Sequence, residues 1–255
     1  MLVTSAVRYT GHRCERIVLW EGPPLRHLQP VDSLPSGLAL LEGVDSCDRE
    51  QVLDCLGASY VTYDEGDVVA EAARTAGPVA YLTEGRVYGC VYDEEGNRSI
   101  LHVFVPGQAL SYGGAFGFNT LVDMTAVARR GCRLLVFDLA VPSSPHLRRC
   151  VDIIRANLAQ TVAAFGADLA ATLGIRSRRT ARGKVLAYLE HEARRQGSSS
   201  VVVPLTRQEL ADYLSIDRAT LSRELRTLAD EGHFEVDRNH FDLHLKPKDG
   251  RHASK

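Results

Sequence analysis

Arg218, Ser222 and Arg223 stand close together in the stretch "TRQELADYLSIDRATLSRELRTL", residues 206–228. A guanidinium donates paired hydrogen bonds in one plane and a hydroxyl donates one, which is the chemistry that reads base edges in a nucleic-acid groove. Whether these groups can act together depends on the elements that carry them. Thr206 and Glu209 have the spacing of a capping box, in which each side chain satisfies the other residue's backbone amide, so a helix is predicted to begin there. Leu210 and Leu214 give that helix an apolar face. Ser215-Ile216-Asp217 reads as a tight turn whose Asp217 caps a second helix. The second helix keeps Leu221, Leu225 and Leu228 on one side and stops near Gly232. Its other side presents Arg218, Ala219, Ser222 and Arg223 within the first two turns. This is the layout of a helix-turn-helix, whose second helix enters the major groove and reads bases with its early residues. Two short amphipathic helices joined by a turn also serve as plain packing units, and the pattern alone leaves both uses open.

The residues that follow favour the first use. From Gly232 the run "GHFEVDRNHFDLHL" alternates Phe234, Val236, then Phe241, Leu243 and Leu245 around the turn Asp237-Arg238-Asn239-His240, a β-hairpin pattern. A helix-turn-helix followed by a hairpin is a winged helix, and its tip carries Arg238 and His240 where a phosphate backbone could lie.

A chain of 255 residues, 45% of them hydrophobic, can bury a sizeable core and suits two domains. Residues 1–174 hold 14 Lys plus Arg against 20 Asp plus Glu, a balance of −6, whereas residues 175–255 hold 16 against 12, a balance of +4. All four lysines fall in the second part, so a modestly basic module adjoins an acidic one. No continuous apolar run approaches the roughly 18 residues of a membrane span. The N-terminus lacks the apolar stretch and cleavage site of a signal peptide, so the expected location is the cytoplasm. Six cysteines, at 14, 47, 55, 90, 132 and 150, form no CxxC pair, and their spacing signals neither a disulfide framework nor a zinc site.

The expected organisation has four parts. Residues 1–34 form a proline-punctuated extension. Residues 35–143 carry short helical signals and then β-type runs separated by glycine turns, among them "VAYLTEGRVYGCVY", "RSILHVFVPGQAL" and "CRLLVFDL", which indicate an antiparallel barrel or jelly roll. Residues 144–174 open with Ser144 as a cap and Pro145 at the first helical position, and a long helix is expected to run to Gly174. Residues 175–255 hold the winged helix. Along the long helix Val151, Ile154, Leu158, Val162, Phe165, Leu169 and Leu173 recur at steps of three and four, a stripe suited to a partner helix or to burial in its own domain. Self-association is the favoured use, because two-fold symmetry suits a palindromic site.

This order of β-roll, long helix and C-terminal winged helix, an α+β architecture, resembles the CRP/FNR family of bacterial transcription regulators over residues 35–245. The resemblance is carried by "TRQELADYLSIDRATLSREL", by "RGKVLAYLEHEARRQG" before it, and by "LTEGRVYGCVYDEEGNRSILHVFVPGQAL", which is similar to the centre of the family's β-roll, of cyclic-nucleotide-binding type. It implies base reading by Arg218, Ser222 and Arg223, and phosphate contacts by Arg207, Gln208 and Thr220. Ala219 departs from a glutamate that many members have. A methyl group can touch a thymine methyl but cannot accept from cytosine N4, so the half-site is expected to differ. The implied partners are double-stranded DNA with a near-palindromic site, a second copy of the chain, RNA polymerase where the regulator activates, and an unidentified small-molecule or redox effector.

The effector is expected not to be cAMP. Family members that bind cyclic nucleotides hold them with a glutamate and an Arg-Ser pair after "PGQAL", where this chain has Tyr112 and Val122-Asp123, and an aspartate repels a phosphate. The clustered N-terminal cysteines of iron-sulfur members are absent. Haem is disfavoured, since a lone His102 or His146 is more often structural. Tyr112, Phe116, Phe118 and Met124, with Gly113, Gly114 and Gly117 beside them and Asp123 within the stretch, would suit an apolar aromatic pocket. The same residues would equally serve as ordinary β-roll core. A metal-binding cupin is a further use of such a roll, but after Gly96 and His102 the position of its second histidine holds Phe104. No P-loop, nucleophile elbow or HExxH pattern is present, and catalysis is not expected. A module whose winged helix contacts protein is the remaining alternative.

Overall fold

The computed structural model describes residues 29–31, 34, 37–70, 78–112, 124–139 and 142–244. The chain divides into two compact units, Met1–Asp168 and Leu169–Lys255. The division falls within one continuous helix.

The first unit holds strand β1 (Gln29–Pro30), helix α1 (Ser46–Cys55), and strands β2 (Ser59–Tyr63), β3 (Val68–Ala70), β4 (Val79–Glu84), β5 (Val87–Tyr92), β6 (Arg98–Phe104), β7 (Ala109–Tyr112), β8 (Thr125–Ala128) and β9 (Cys132–Phe137). All strand pairs are antiparallel. They make a five-stranded sheet in the order β1-β2-β9-β4-β7 and a four-stranded sheet in the order β3-β8-β5-β6.

Side chains in a strand alternate between faces, and here both faces of the five-stranded sheet are covered. Tyr60, Val79, Tyr81, Leu135 and Phe137 pack with α1 residues Val52 and Leu53 and with the start of the long helix. Their neighbours Val61, Ala80, Leu82, Leu134 and Val136 pack with Val69, Val87, Phe104, Ala126 and Ala128 of the second sheet. This explains why β2, β4 and β9 read as near-continuous apolar runs without polar alternation. The expected turn "DEEGN" closes the β5–β6 hairpin, where Asp93 accepts from the backbone amide and the side-chain amide of Asn97 at 2.8 and 2.9 Å. Those bonds hold the Asp93 carboxyl below its usual range. At Gly85, whose φ is +83°, an added Cβ would lie 2.4 Å from the Gly131 carbonyl oxygen, so two chain segments meet there because no side chain intervenes.

Helix α2 runs Pro145–Arg176, with the Arg148 amide donating to the Ser144 carbonyl in its first turn. Contrary to the sequence expectation, Gly174 does not stop it; the helix continues two residues further. In the second unit Ile175 is buried and the Arg176 Nε donates to the Tyr213 carbonyl at 2.7 Å, and this tertiary anchoring outweighs the local preference of glycine. The apolar stripe is also corrected. Val151, Ile154 and Leu158 are fully buried inside their own unit, with Leu40, Leu41, Val52 and Tyr60, so they are not available to a partner helix. Phe165 stacks on Phe104 at 5.6 Å and meets the His102 ring edge-on at 4.9 Å. Val162 and Leu169 are half-buried, and Leu173 is 69% exposed. A further correction concerns membranes. Helix α2 contains an 18-residue window that is long and apolar enough to cross a bilayer by length and composition, only 17% of it buried in the chain. Its polar residues are too few and too dispersed to break that window.

Leu158→Ala should lower the stability of the first unit by about 2–5 kcal/mol through the cavity it leaves. Chemical denaturation measures it, and a loss below about 0.5 kcal/mol would place Leu158 outside the core.

Candidate nucleic-acid interface

The second unit continues with α3 (Ala181–Gln196), β10 (Ser200–Val202), α4 (Arg207–Leu214), α5 (Arg218–Asp230), β11 (Phe234–Asp237) and β12 (His240–Leu243). Thr180 caps α3 by accepting from the Gly183 amide at 3.0 Å. At α4 the capping box is complete: the Thr206 hydroxyl accepts from the Glu209 amide at 3.3 Å and the Glu209 carboxylate accepts from the Thr206 amide at 2.7 Å. Ser215 ends α4 in the left-handed conformation, and Asp217 starts α5 by accepting from the Thr220 amide at 2.8 Å. Hydrogen bonds from the Thr220 side chain, and then from its amide, hold the Asp217 carboxyl below its usual range, so the cap is charged and suited to a helix N-terminus. Two helices thus meet through a three-residue turn.

The turn is fixed from behind by a residue the sequence reading counted only as charge. The Lys184 Nζ on α3 donates to the carbonyls of Leu214 and Ser215 at 3.1 and 3.2 Å, satisfying groups that the end of α4 leaves without helical partners. Leu210, Leu214, Leu221, Leu225 and Leu228 are buried as their spacing predicts. Tyr213 lies edge-on to Tyr188 at 5.3 Å, and its hydroxyl shares a 2.8 Å hydrogen bond with Thr172.

The wing has the expected two-residue turn, since Asp237 pairs with His240. Arg238 takes a φ of +54° there. Phe234 and Phe241 are buried edge-to-face at 5.3 Å, whereas Val236 is partly exposed. Leu245 lies outside the described residues. Strand β10 adds a third strand along β12, with Val201 opposite Phe241. Ser200 donates to Asp242 at 2.5 Å and accepts from the His240 Nε2 at 2.6 Å. This exposed cluster joins β10 to β12.

The groups expected to meet DNA fall into two sets. Arg218, Ala219, Ser222 and Arg223 are all exposed on the first turns of α5. Among the described residues the guanidinium groups of Arg218 and Arg223 make no hydrogen bond or ion pair, whereas the Ser222 hydroxyl donates back to the Arg218 carbonyl at 2.9 Å. The second set is engaged. Gln208 donates to Asp212 at 2.8 Å, and Thr220 is bound to the Asp217 cap. The Arg207 Nη2 donates to the Arg238 carbonyl at 2.7 Å, and its guanidinium lies 5.1 Å from the Phe241 ring centre. Burial shifts the Arg207 pKa down, without discharging a group that starts so high. Arg207 therefore joins the start of α4 to the wing tip. Of the expected effector pocket, Met124 is half-buried with the inter-sheet core, its sulfur 2.3 Å from where a Cβ on Gly89 would stand. The remaining residues, Gly113, Gly114, Phe116, Phe118 and Asp123, and the Tyr112 side chain, lie outside the described residues.

A β-roll, a long helix and a winged helix whose second helix exposes Arg218 and Arg223 define the architecture as a β-roll unit followed by a winged-helix unit. Residues 183–246 match the family model of the Crp-like helix-turn-helix domain. Among solved structures the chain is similar to FixK2 from Bradyrhizobium japonicum, at 19% identity over 74% of this chain and 93% of that one, with a TM-score of 0.56. It is similar to the c-di-GMP responsive global regulator CLP of Xanthomonas campestris, at 17% identity over 79% of this chain and 100% of that one, with a TM-score of 0.62. A CRP/FNR-family transcriptional regulator of Thermus thermophilus matches at 22% identity over 72% and 92% of the two chains, with a TM-score of 0.52. No curated protein sequence matches the chain. Residues 183–246 thus carry a Crp-like helix-turn-helix domain, and the chain shares the fold of these regulators.

Thr206→Ala should cost about 1 kcal/mol of stability in the second unit, because the Glu209 amide loses its acceptor. Thr206→Ser should retain most of it. An unshifted denaturation midpoint for the alanine variant would remove the box from the account.

Proposed function

We propose that the protein is a homodimeric, sequence-specific regulator that binds near-palindromic DNA, and that a small-molecule or redox signal other than cAMP acts through its β-roll unit. One observation carries this reading: two uncommitted, exposed guanidinium groups on the first turns of a helix whose start is fixed by capping. Arg223 is suited to donate to guanine O6 and N7, and Arg218 stands at the start of the same helix, one turn before Ser222. Ala219 would meet a thymine methyl. Gln208, Thr220 and Arg238 contact phosphates, and Arg207 does so while holding the wing in place. Half-sites lie about one DNA turn apart. The protein acts in the cytoplasm and contacts RNA polymerase where it activates.

The dimer reading rests on the exposed part of α2. Beyond Leu158 the helix leaves Ala159, Ala163, Ala167, Ala170 and Leu173 exposed. Small residues let a second helix approach closely, and burial of apolar surface rewards it. Gln160 on the exposed surface favours a partner helix over a bilayer, since lipid cannot satisfy its amide.

Selection of binding sites from random and genomic DNA, sequenced at two salt concentrations, should return a two-fold-symmetric motif. Arg223→Ala should lower discrimination at one base pair by about 1–3 kcal/mol, whereas Arg207→Ala should weaken binding to every sequence and flatten its salt dependence. Equal losses on specific and random DNA in both variants would overturn these roles, and no enriched motif would favour a protein partner for the winged helix.

Leu173→Glu should convert the dimer to a monomer in sedimentation equilibrium and leave the melting of the first unit unchanged. A dimer that persists would move the interface away from residues 159–174, and recovery of the native protein with membranes would assign the helix to lipid.

A further inference from the structure

Away from the DNA-binding unit, α1 and the first turns of α2 bring together three side chains of different donor type. Asp48 stands in the first turn of α1. His146 and Cys150 are separated by four residues on α2, which places them on one face of that helix. The His146 Nε2 and the Asp48 Oδ2 are 2.8 Å apart. The donor atoms of Asp48, His146 and Cys150 all lie within 4.8 Å of one another. Burial, and after it the carboxylates of Asp48 and Asp45, push the Cys150 thiol up from its ordinary range, with Arg149 opposing them.

We propose that Asp48, His146 and Cys150 form a binding site for a borderline-soft divalent transition ion of the zinc class. One oxygen, one imidazole nitrogen and one thiolate sulfur form a donor set that zinc accepts and that hard ions such as magnesium and calcium do not prefer. Bond lengths for these donors put their atoms about 3.3–3.6 Å apart around a tetrahedral ion. The cluster therefore needs only a small adjustment, opening the 2.8 Å Asp48–His146 contact and bringing the three donor atoms to even separations. The parts are suited to that movement. Cys150 is 5% exposed, in the core with Leu147, Val151 and Leu53, and the Asp48 side chain is 13% exposed, so both are held in place. The His146 side chain is 62% exposed and can turn onto the ion. Solvent reaches the same side, so a water completes the fourth position and the ion can exchange. On binding, the thiol proton leaves to solvent and the sulfur binds as thiolate. The ion would tie α1 to the beginning of α2.

The test uses the full chain, stripped with a chelator under reducing conditions and titrated with Zn2+ against a chromogenic competitor and, separately, with Co2+. The expected result is one equivalent bound, with thiolate-to-cobalt charge-transfer absorption. His146→Ala, at an exposed position, should weaken binding at least tenfold, given that even outer-shell changes cost about 10–100-fold. Cys150→Ser should abolish the charge-transfer band, and Cys47→Ser and Cys55→Ser should leave it intact. If Cys150→Ser disturbs folding, Asp48→Asn and His146→Ala still decide the matter. Absence of stoichiometric binding, or a cobalt–thiolate signal unchanged in both His146→Ala and Asp48→Asn, would overturn the site.

Discussion

A helix end buried without hydrogen-bond partners costs free energy at each orphaned group, and the approach of α4 to α5 is built around meeting that requirement. Thr206 and Glu209 satisfy each other's amides at the start of α4, Lys184 covers the carbonyls at its end, and Asp217 takes the first free amides of α5. None of these groups is among the residues assigned to base reading, although Asp217 holds Thr220. They determine where α5 begins, and a helix that began one residue later would turn its side chains by about 100°. The exposure of Arg218 and Arg223 depends on this phase.

Much of the second unit was legible because its determinants are local. A cap, its partner three residues on and leucines at helical spacing all lie within one stretch of sequence, and each stands where its pattern predicts. Strand β10 was not legible, since Ser200–Val202 is a strand by virtue of its pairing with β12, forty residues away in sequence. In the first unit the periodicity of α2 showed which face is apolar and not what covers it. Val151, Ile154 and Leu158 are covered by their own unit and Leu173 is not, although all belong to one stripe. The Asp48, His146 and Cys150 cluster had no sequence signature, because its members come from helices far apart in the chain and only packing brings them together.

Arg207 illustrates how a residue type constrains without settling a role. Its position pointed to phosphate contact, and the structure adds a hydrogen bond to the wing-tip carbonyl and a stack on Phe241. Both uses draw on the same property, a planar group with five donors that can serve several acceptors at once. In the β-roll, Gln108 works similarly. It accepts from His102 and from the Val105 amide, and its own amide reaches Asp168 at 3.5 Å. Burial pushes the His102 pKa down, which keeps the imidazole neutral with its proton on the nitrogen facing Gln108.

The five-stranded sheet, covered on both faces, has one more consequence. Every residue of β4 from Val79 to Leu82 is buried, whereas β6 alternates buried Ile100, His102 and Phe104 with half-exposed Ser99, Leu101 and Val103. Neutral drift has almost nowhere to accumulate in a strand with no wet side, because nearly any change of volume or polarity there is felt. Sequence change in this unit must therefore enter through positions such as the half-exposed ones of β6, while β4 stays nearly fixed as the scaffold that makes such variation survivable.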